Sequence, residues 1–97
     1  MELLAPEITK LLPPLRSQQV KGPEAVAQVR FSAPWLKWRW YASEFNPVLG
    51  VFFGVVVIFE REYDYFTLAA LETIRSRRGL RVERDLVWTP RPISACE

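Results

Sequence analysis

The segment WLKWRWYASEFNPVLGVFFGVVVIF, residues 35–59, decides the fold. From Trp35 to Phe45 its side chains alternate, which predicts a strand. Leu36, Trp38, Trp40 and Ala42 fall on one face, expected to be core. Lys37, Arg39, Tyr41 and Ser43 fall on the other, expected to be exposed. Asn46-Pro47 through Gly50 predicts a hairpin turn. Val51 to Phe59 is apolar on both faces, the pattern of a central strand covered on both sides. Gly54 inside it marks a bulge or the close approach of another backbone.

On the N-terminal side, Leu4, Ile8, Leu11 and Leu12 recur at helical spacing, with Pro6 in the first turn and Pro13-Pro14 as a stop. This predicts a short helix over residues 6–12. Leu15 to Glu24 is polar and reads as a loop around Gly22-Pro23. Ala25, Ala27, Val29 and Phe31 alternate with polar residues and predict a strand that Ala33-Pro34 ends. On the C-terminal side, Tyr63 to Phe66 is a short fourth strand. Thr67 is a candidate N-cap for a main helix over residues 68–77, with Leu68, Leu71 and Ile74 on its apolar face and Gly79 as C-cap. Leu80 to Trp88 contains a last extended stretch, and Pro90 and Pro92 lead into a loose tail. The fold class is therefore α+β: a small, mostly antiparallel sheet of four to five strands with a short N-terminal helix and one main helix. The second apolar face of Val51–Phe59 then needs a cover, either the N-terminal helix or a partner.

A chain of 97 residues is expected to form one domain, residues 1–97. Histidine is absent and Cys96 is the only cysteine. This composition removes His-based metal sites, Cys-based zinc sites, and Ser-His or Cys-His nucleophile pairs. It also permits no intramolecular disulfide, which fits a reducing compartment. Met1 to Leu12 carries Glu2, Glu7 and Lys10 and lacks the pattern of a signal peptide. The longest apolar run, Val48 to Phe59, falls short of the about 20 residues a membrane helix needs. The expectation is a soluble cytoplasmic protein without cofactor, metal or membrane partner.

Net charge is +2 but unevenly placed. Arginines 75, 77, 78, 81, 84 and 91 make the C-terminal third basic, beside Glu60, Glu62 and Asp64 in an acidic turn. Four groups are candidates for function. Trp35, Lys37, Arg39 and Tyr41 could stack bases and hold phosphates, or form an ordinary solvent face. Arg77, Arg78 and Arg81, with Arg75 and Arg84, could contact nucleic acid or an acidic protein surface. They could equally complement a helix C-terminus and pair with Glu83 and Asp85. Glu60, Glu62 and Asp64 share a strand face if the strand reaches them, and could hold Mg²⁺ or do acid–base work. A solvated turn is the alternative. Glu44 sits in the core-side register of Trp40 and Ala42 and needs a partner such as an arginine. Cys96 reads as incidental rather than nucleophilic.

Several blocks occur together in order. They are Leu12-Pro13-Pro14-Leu15 with Ser17-Gln18, then Trp40-Tyr41-Ala42-Ser43-Glu44-Phe45, then Phe52-Phe53-Gly54, then Tyr65-Phe66-Thr67-Leu68 with Leu71-Glu72, and last Gly79 to Leu86. In this the chain resembles a small bacterial domain-of-unknown-function family, number 2958, frequent on plasmids, phages and other mobile elements. Relatives commonly carry an acidic Asp-Gly loop after the Glu-Phe block, where this chain has Asn46-Pro47-Val48-Leu49-Gly50. The resemblance implies a setting rather than a chemistry: an accessory protein of mobile DNA, a group that often interferes with host defence.

The expected function is that of a non-enzymatic accessory protein binding a host protein or protein–nucleic-acid complex, such as a CRISPR or restriction complex. The expected contacts are Trp35, Lys37, Arg39, Tyr41, Arg77, Arg78 and Arg81. The alternative is binding of single-stranded nucleic acid on the Trp35–Tyr41 face. A second copy of the chain is a further candidate partner.

Overall fold

The computed structural model describes residues 3–96. Its elements run α1 (Pro6–Thr9), β1 (Val26–Ala27), β2 (Val29–Ala33), β3 (Trp38–Asn46), β4 (Val51–Val57), β5 (Arg61–Thr67), α2 (Leu68–Thr73), β6 (Glu83–Arg84) and β7 (Arg91–Pro92). Five strands form one antiparallel sheet in the order β5-β4-β3-β2-β6, and β1 pairs with β7 in a second, two-stranded sheet. The α+β class and the antiparallel sheet are as the sequence predicts. No helix among the described residues is long and apolar enough to cross a membrane.

The register explains why β4 is apolar throughout. Residues directly opposite each other share a face. Phe31, Trp40 and Val56 line up across β2, β3 and β4, and Phe45, Phe52 and Phe66 across β3, β4 and β5. These residues build the first core, with Leu12, Val29, Leu71 and Val82. Phe52 is its centre, stacked on Phe45 at 4.5 Å and on Phe66 at 5.1 Å, and edge-on to Phe31 at 5.4 Å. Both helical segments lie on this face, since Leu4, Ile8, Leu68 and Ile74 pack against the same cluster.

The opposite face carries a second core of Ala25, Ala27, Tyr41, Val55, Ile93 and Cys96. Its cover is the C-terminal segment, not the N-terminal helix. Trp88 lies against Tyr41 at 5.4 Å and donates its indole N–H to the carbonyl of Ala27. Arg61 donates from Nε to the Cys96 carbonyl (2.8 Å) and from Nη2 to the Ile93 carbonyl. The tail expected to be loose is therefore a structural layer, held by β7, the 3-10 turn Ile93–Ala95 and the Arg61 side chain.

That cover corrects the reading of β3. Tyr41 is 3% exposed and Ser43 is fully buried, so the expected solvent face is interior over half its length. The strand also starts later than expected. Pro34–Leu36 is a 3-10 turn, and Lys37 takes a left-handed conformation (φ 61°) that ends it, which leaves Leu36 exposed instead of in the core. The strand expected over 25–31 is likewise two short ones, since Gln28 donates its amide to Ala42 between them. Its apolar residues divide between the cores, Ala25 and Ala27 in the second, Val29 and Phe31 in the first.

The β3–β4 register shifts by one residue between Ala42 and Glu44, a bulge that sets Glu44 opposite Phe53 rather than in the register of Trp40. Gly54 allows the strands to close there: a Cβ on it would lie 1.8 Å from the carbonyl oxygen of Tyr41. Glu44 is fully buried and accepts the backbone amides of Arg16 (2.8 Å) and Gln18 (2.6 Å). Main-chain N–H groups supply these two bonds. Arg16 reaches this position with a left-handed backbone, φ 73°. The Phe45 amide donates to Pro13, so the 13–18 loop is tied to the end of β3 at three points.

The helices are shorter than the periodicity suggests. α1 ends at Thr9, and Lys10 to Leu12 turn away so that Leu12 enters the core. Thr67 caps α2 as expected, accepting the Ala70 amide at 3.0 Å. α2 nevertheless stops at Thr73, because Ile74 adopts an extended conformation (ψ 124°) and packs against the first core.

Two substitutions test the bulge. Gly54→Ala forces a methyl into the Tyr41 carbonyl and is expected to destabilise by about 2 kcal/mol or more, roughly a 10 °C fall in thermal midpoint for a chain of this size. Glu44→Gln keeps the shape but turns an NH₂ towards one of two amide donors, with an expected loss of about 1–3 kcal/mol in urea unfolding. An unchanged midpoint in either variant would refute the role assigned to that residue.

Candidate functional site

The arginines that the sequence assigns to a helix end belong to a loop. After Ile74 the chain forms a small hairpin in which Arg75 and Arg81 bridge across its base. Ser76 closes it: its Oγ accepts the amides of Arg78 (3.2 Å) and Leu80 (2.9 Å), its carbonyl accepts from Gly79, and its amide donates to Leu80. Gly79, at φ 83°, makes the turn instead of capping a helix.

The last turn of α2 contains no basic residue, so Arg77, Arg78 and Arg81 are not complementing a helix dipole. All three are exposed. Arg75 folds back, donating to the carbonyls of Glu72 and Ile74. The acids expected to neutralise the group do not. Asp85 pairs with Arg30 at 3.6 Å, and Arg84 donates to the Leu3 carbonyl at 3.3 Å. Among the described residues, Arg77, Arg78 and Arg81 make no ion pair. Like charges grouped on one loop repel one another where no counter-charge is present.

The other four expected contacts do not form one platform. Tyr41 lies beneath Trp88, because the C-terminal layer covers it. Trp35 packs against the first core, on the other side of the sheet. Lys37 is exposed in the turn before β3, and Arg39 donates to the Lys37 carbonyl at 3.0 Å. Buried Tyr41 and core-packed Trp35 leave this region without the two stacking rings the alternative requires.

The carboxylates of the acidic turn do not converge either. Glu60 precedes β5, while Glu62 and Asp64 alternate along it, and no group able to hold a metal ion occurs among the described residues. Their position suits a different task. β5 is an edge of the sheet, exposed from Arg61 to Tyr65. Asp64 Oδ1 accepts the Tyr65 amide at 2.7 Å and so occupies a donor of that edge. In an antiparallel self-pairing, residues of one face would meet, setting Glu62 and Asp64 against the acids of a second copy.

Cys96 is buried against Pro92, and burial pushes its thiol pKa up despite the lowering influence of Arg91 and Arg61. It is a packing residue of the second core rather than a nucleophile.

Sequence reasoning missed two features. Phe53, Tyr63 and Tyr65 share a face where β4 meets β5, with Phe53 and Tyr65 edge-on at 5.0 Å, and both tyrosines half exposed. Period two at Tyr63 and Tyr65 was the available signal. The second is a groove between α1 and α2, assembled from residues too far apart in the chain to leave a local pattern. For β5, the expected outcome of Glu62→Thr with Asp64→Thr is concentration-dependent self-association in sedimentation velocity, where the parent chain stays of one size. A double variant that sediments like the parent would refute the edge-protecting role.

No curated protein and no solved structure matches the chain. The family model described as Protein of unknown function (DUF2958) matches residues 3–96, nearly the whole chain, and the protein belongs to that family.

Proposed function

We propose that this protein is a non-enzymatic binding protein that acts by occupying the surface of a protein or protein–nucleic-acid complex, with the loop from Arg75 to Arg81 as its principal contact. The observation that carries this reading is the exposed arginine group, held by a Ser76-centred turn and left without ion pairs among the described residues. A fixed loop loses little conformational freedom on binding, and Arg suits planar, bidentate recognition of carboxylates. The partner is a complex of the bacterial host, and the mobile-element setting implied by the family resemblance favours one that serves in host defence. Inhibition then follows from occupancy alone and needs no catalytic group.

Arginines also meet phosphates, so a nucleic-acid component of the complex is a natural second contact. Free single strands are the weaker reading, since Tyr41 is buried and Trp35 is partly buried against the first core, on the other side of the sheet.

The test is affinity capture from a bacterial lysate, with and without nuclease, using the parent chain and the Arg77→Glu, Arg78→Glu double variant. The expected result is a discrete complex that survives nuclease and weakens about tenfold or more on charge reversal. Capture that the double variant leaves unchanged overturns the site, and capture that nuclease abolishes transfers the function to nucleic-acid binding.

A further inference from the structure

We infer that the groove between α1 and α2 receives an acidic amphipathic segment of the partner protein, an inference that rests on the arginine loop being the contact surface. The groove is open to solvent and has a volume of about 770 Å³. That is within the range of roughly 300–1,000 Å³ typical of ligand pockets. Its walls are apolar, contributed by Leu3 and Leu4 before α1, Leu68 and Leu71 of α2, and Val82 beyond the arginine loop. Its rim is cationic. Lys10, Arg75 and Arg81 stand around it against the single carboxylate of Glu72.

The composition of the groove selects its occupant. Apolar walls of Leu and Val favour large aliphatic or aromatic anchors, and the excess of cations on the rim favours acids beside those anchors. A nucleic-acid strand would satisfy the rim but leave the walls unfilled. A basic or neutral amphipathic segment would fill the walls and meet repulsion, or no attraction, at Lys10 and Arg81. Arg75 and Arg81 line the groove and also bridge the base of the arginine loop, so an acidic segment seated between the helices meets the base of that loop.

The groove is also held open by the fold. Arg84 fixes the Leu3 carbonyl to β6 at 3.3 Å, and Ile8 packs on the first core, so α1 is anchored on both sides of the opening. Leu71 and Val82 are themselves core residues, which gives the floor a defined position. Leu3, Leu4 and Leu68 remain half-buried above it. A segment that covered them would remove apolar surface from water without rearranging the sheet.

The experiment uses the full chain and a fluorescein-labelled helical peptide of about four turns, with leucines on one face and aspartates and glutamates on the other. One control peptide replaces the leucines by serine, a second replaces the acids by lysine, and dodecanoate serves as a non-peptide probe. The expected result is saturable anisotropy with the acidic amphipathic peptide only. Amide NMR shifts should cluster at Leu4, Thr9, Leu68 and Val82, and affinity should fall about tenfold in Lys10→Glu with Arg81→Glu, both exposed positions.

Equal binding of the lysine peptide, shifts that map elsewhere, affinity unaffected by the double variant, or dodecanoate binding where the acidic peptide does not would each overturn the inference. If the acidic peptide fails while Arg77→Glu, Arg78→Glu still weakens lysate capture, the groove is refuted and the arginine-loop reading stands. Groove binding of the peptide with lysate capture indifferent to the loop variant refutes the loop as contact and, with it, the premise on which the segment was assigned.

Discussion

The buried carboxylate of Glu44 is the constraint on which much else depends. A carboxyl group fully removed from solvent must be satisfied by hydrogen-bond partners. The amides of Arg16 and Gln18 donate to its two oxygens. The consequence is topological as well as energetic. The 13–18 loop is drawn onto the end of β3, Pro13 pairs with Phe45, and the chain leading back to α1 is thereby set over the first core. The blocks 12–18 and 40–45, which carry much of the family resemblance, meet at this carboxylate. Gly54 is the other half of the arrangement, since only a residue without a side chain lets Tyr41 come close enough for the bulge to form.

The two cores lie on opposite faces of the sheet, and the bulge changes which residues of β3 face each one. Before it, alternation places Tyr41 with Val55 on one face and Trp40 with Val56 on the other. After it, Phe45 returns to the first core while Ser43 and Glu44 stay buried at the second. A small sheet apolar on both faces must cover both, and this chain does so with short, irregular pieces. Helical segments cover one side, and a Trp88–Cys96 layer clamped by Arg61 covers the other. The apolar second face of β4 that invited a partner in the sequence is thus largely occupied from within. What remains outside both cores is the arginine loop and the groove beside it, the surfaces on which the proposed binding rests.

What was legible in the sequence, and what was not, follows from the range of the interactions involved. The Thr67 cap, the turn at Asn46-Pro47, the start of β4 and the special role of Gly54 are local or nearly so, and pattern revealed them; β4 itself ends at Val57, short of the expected Phe59, which lies exposed in the following bend. The register of Glu44 was illegible because a one-residue bulge reverses the face of everything near it. The end of α2 was illegible because Ile74 continues the helical spacing of Leu68 and Leu71 while its backbone is already extended. The C-terminal layer gave no signal, since Ile93 and Cys96 among prolines have no period. Tyr41 was misplaced for the same reason: its exposure is decided by Trp88, which lies far along the chain. For the site, the arginines were visible as a group, but their release from helix-capping duty was not, and that release is what makes them available.

The division of labour between core and loop bears on how such a protein can bind at all. A chain of this size has little stability to spare, so a cluster of like charges is costly wherever it strains the fold. Here the cluster is separated from both cores by its own hydrogen-bonded turn, anchored by Ser76 and Gly79 and by the Arg75–Arg81 bridge. Its repulsion therefore acts on a rigid loop in water, where screening is strong, and not on the packing of Phe52 or Glu44. Charge on such a loop is free to match a partner, because changing it disturbs no buried group. The acids of β5, at an edge of the sheet, complete the arrangement by occupying an edge amide and discouraging self-pairing. The result is one edge blunted by acids and one exposed loop whose Arg77, Arg78 and Arg81 make no ion pair among the described residues, with the groove alongside it.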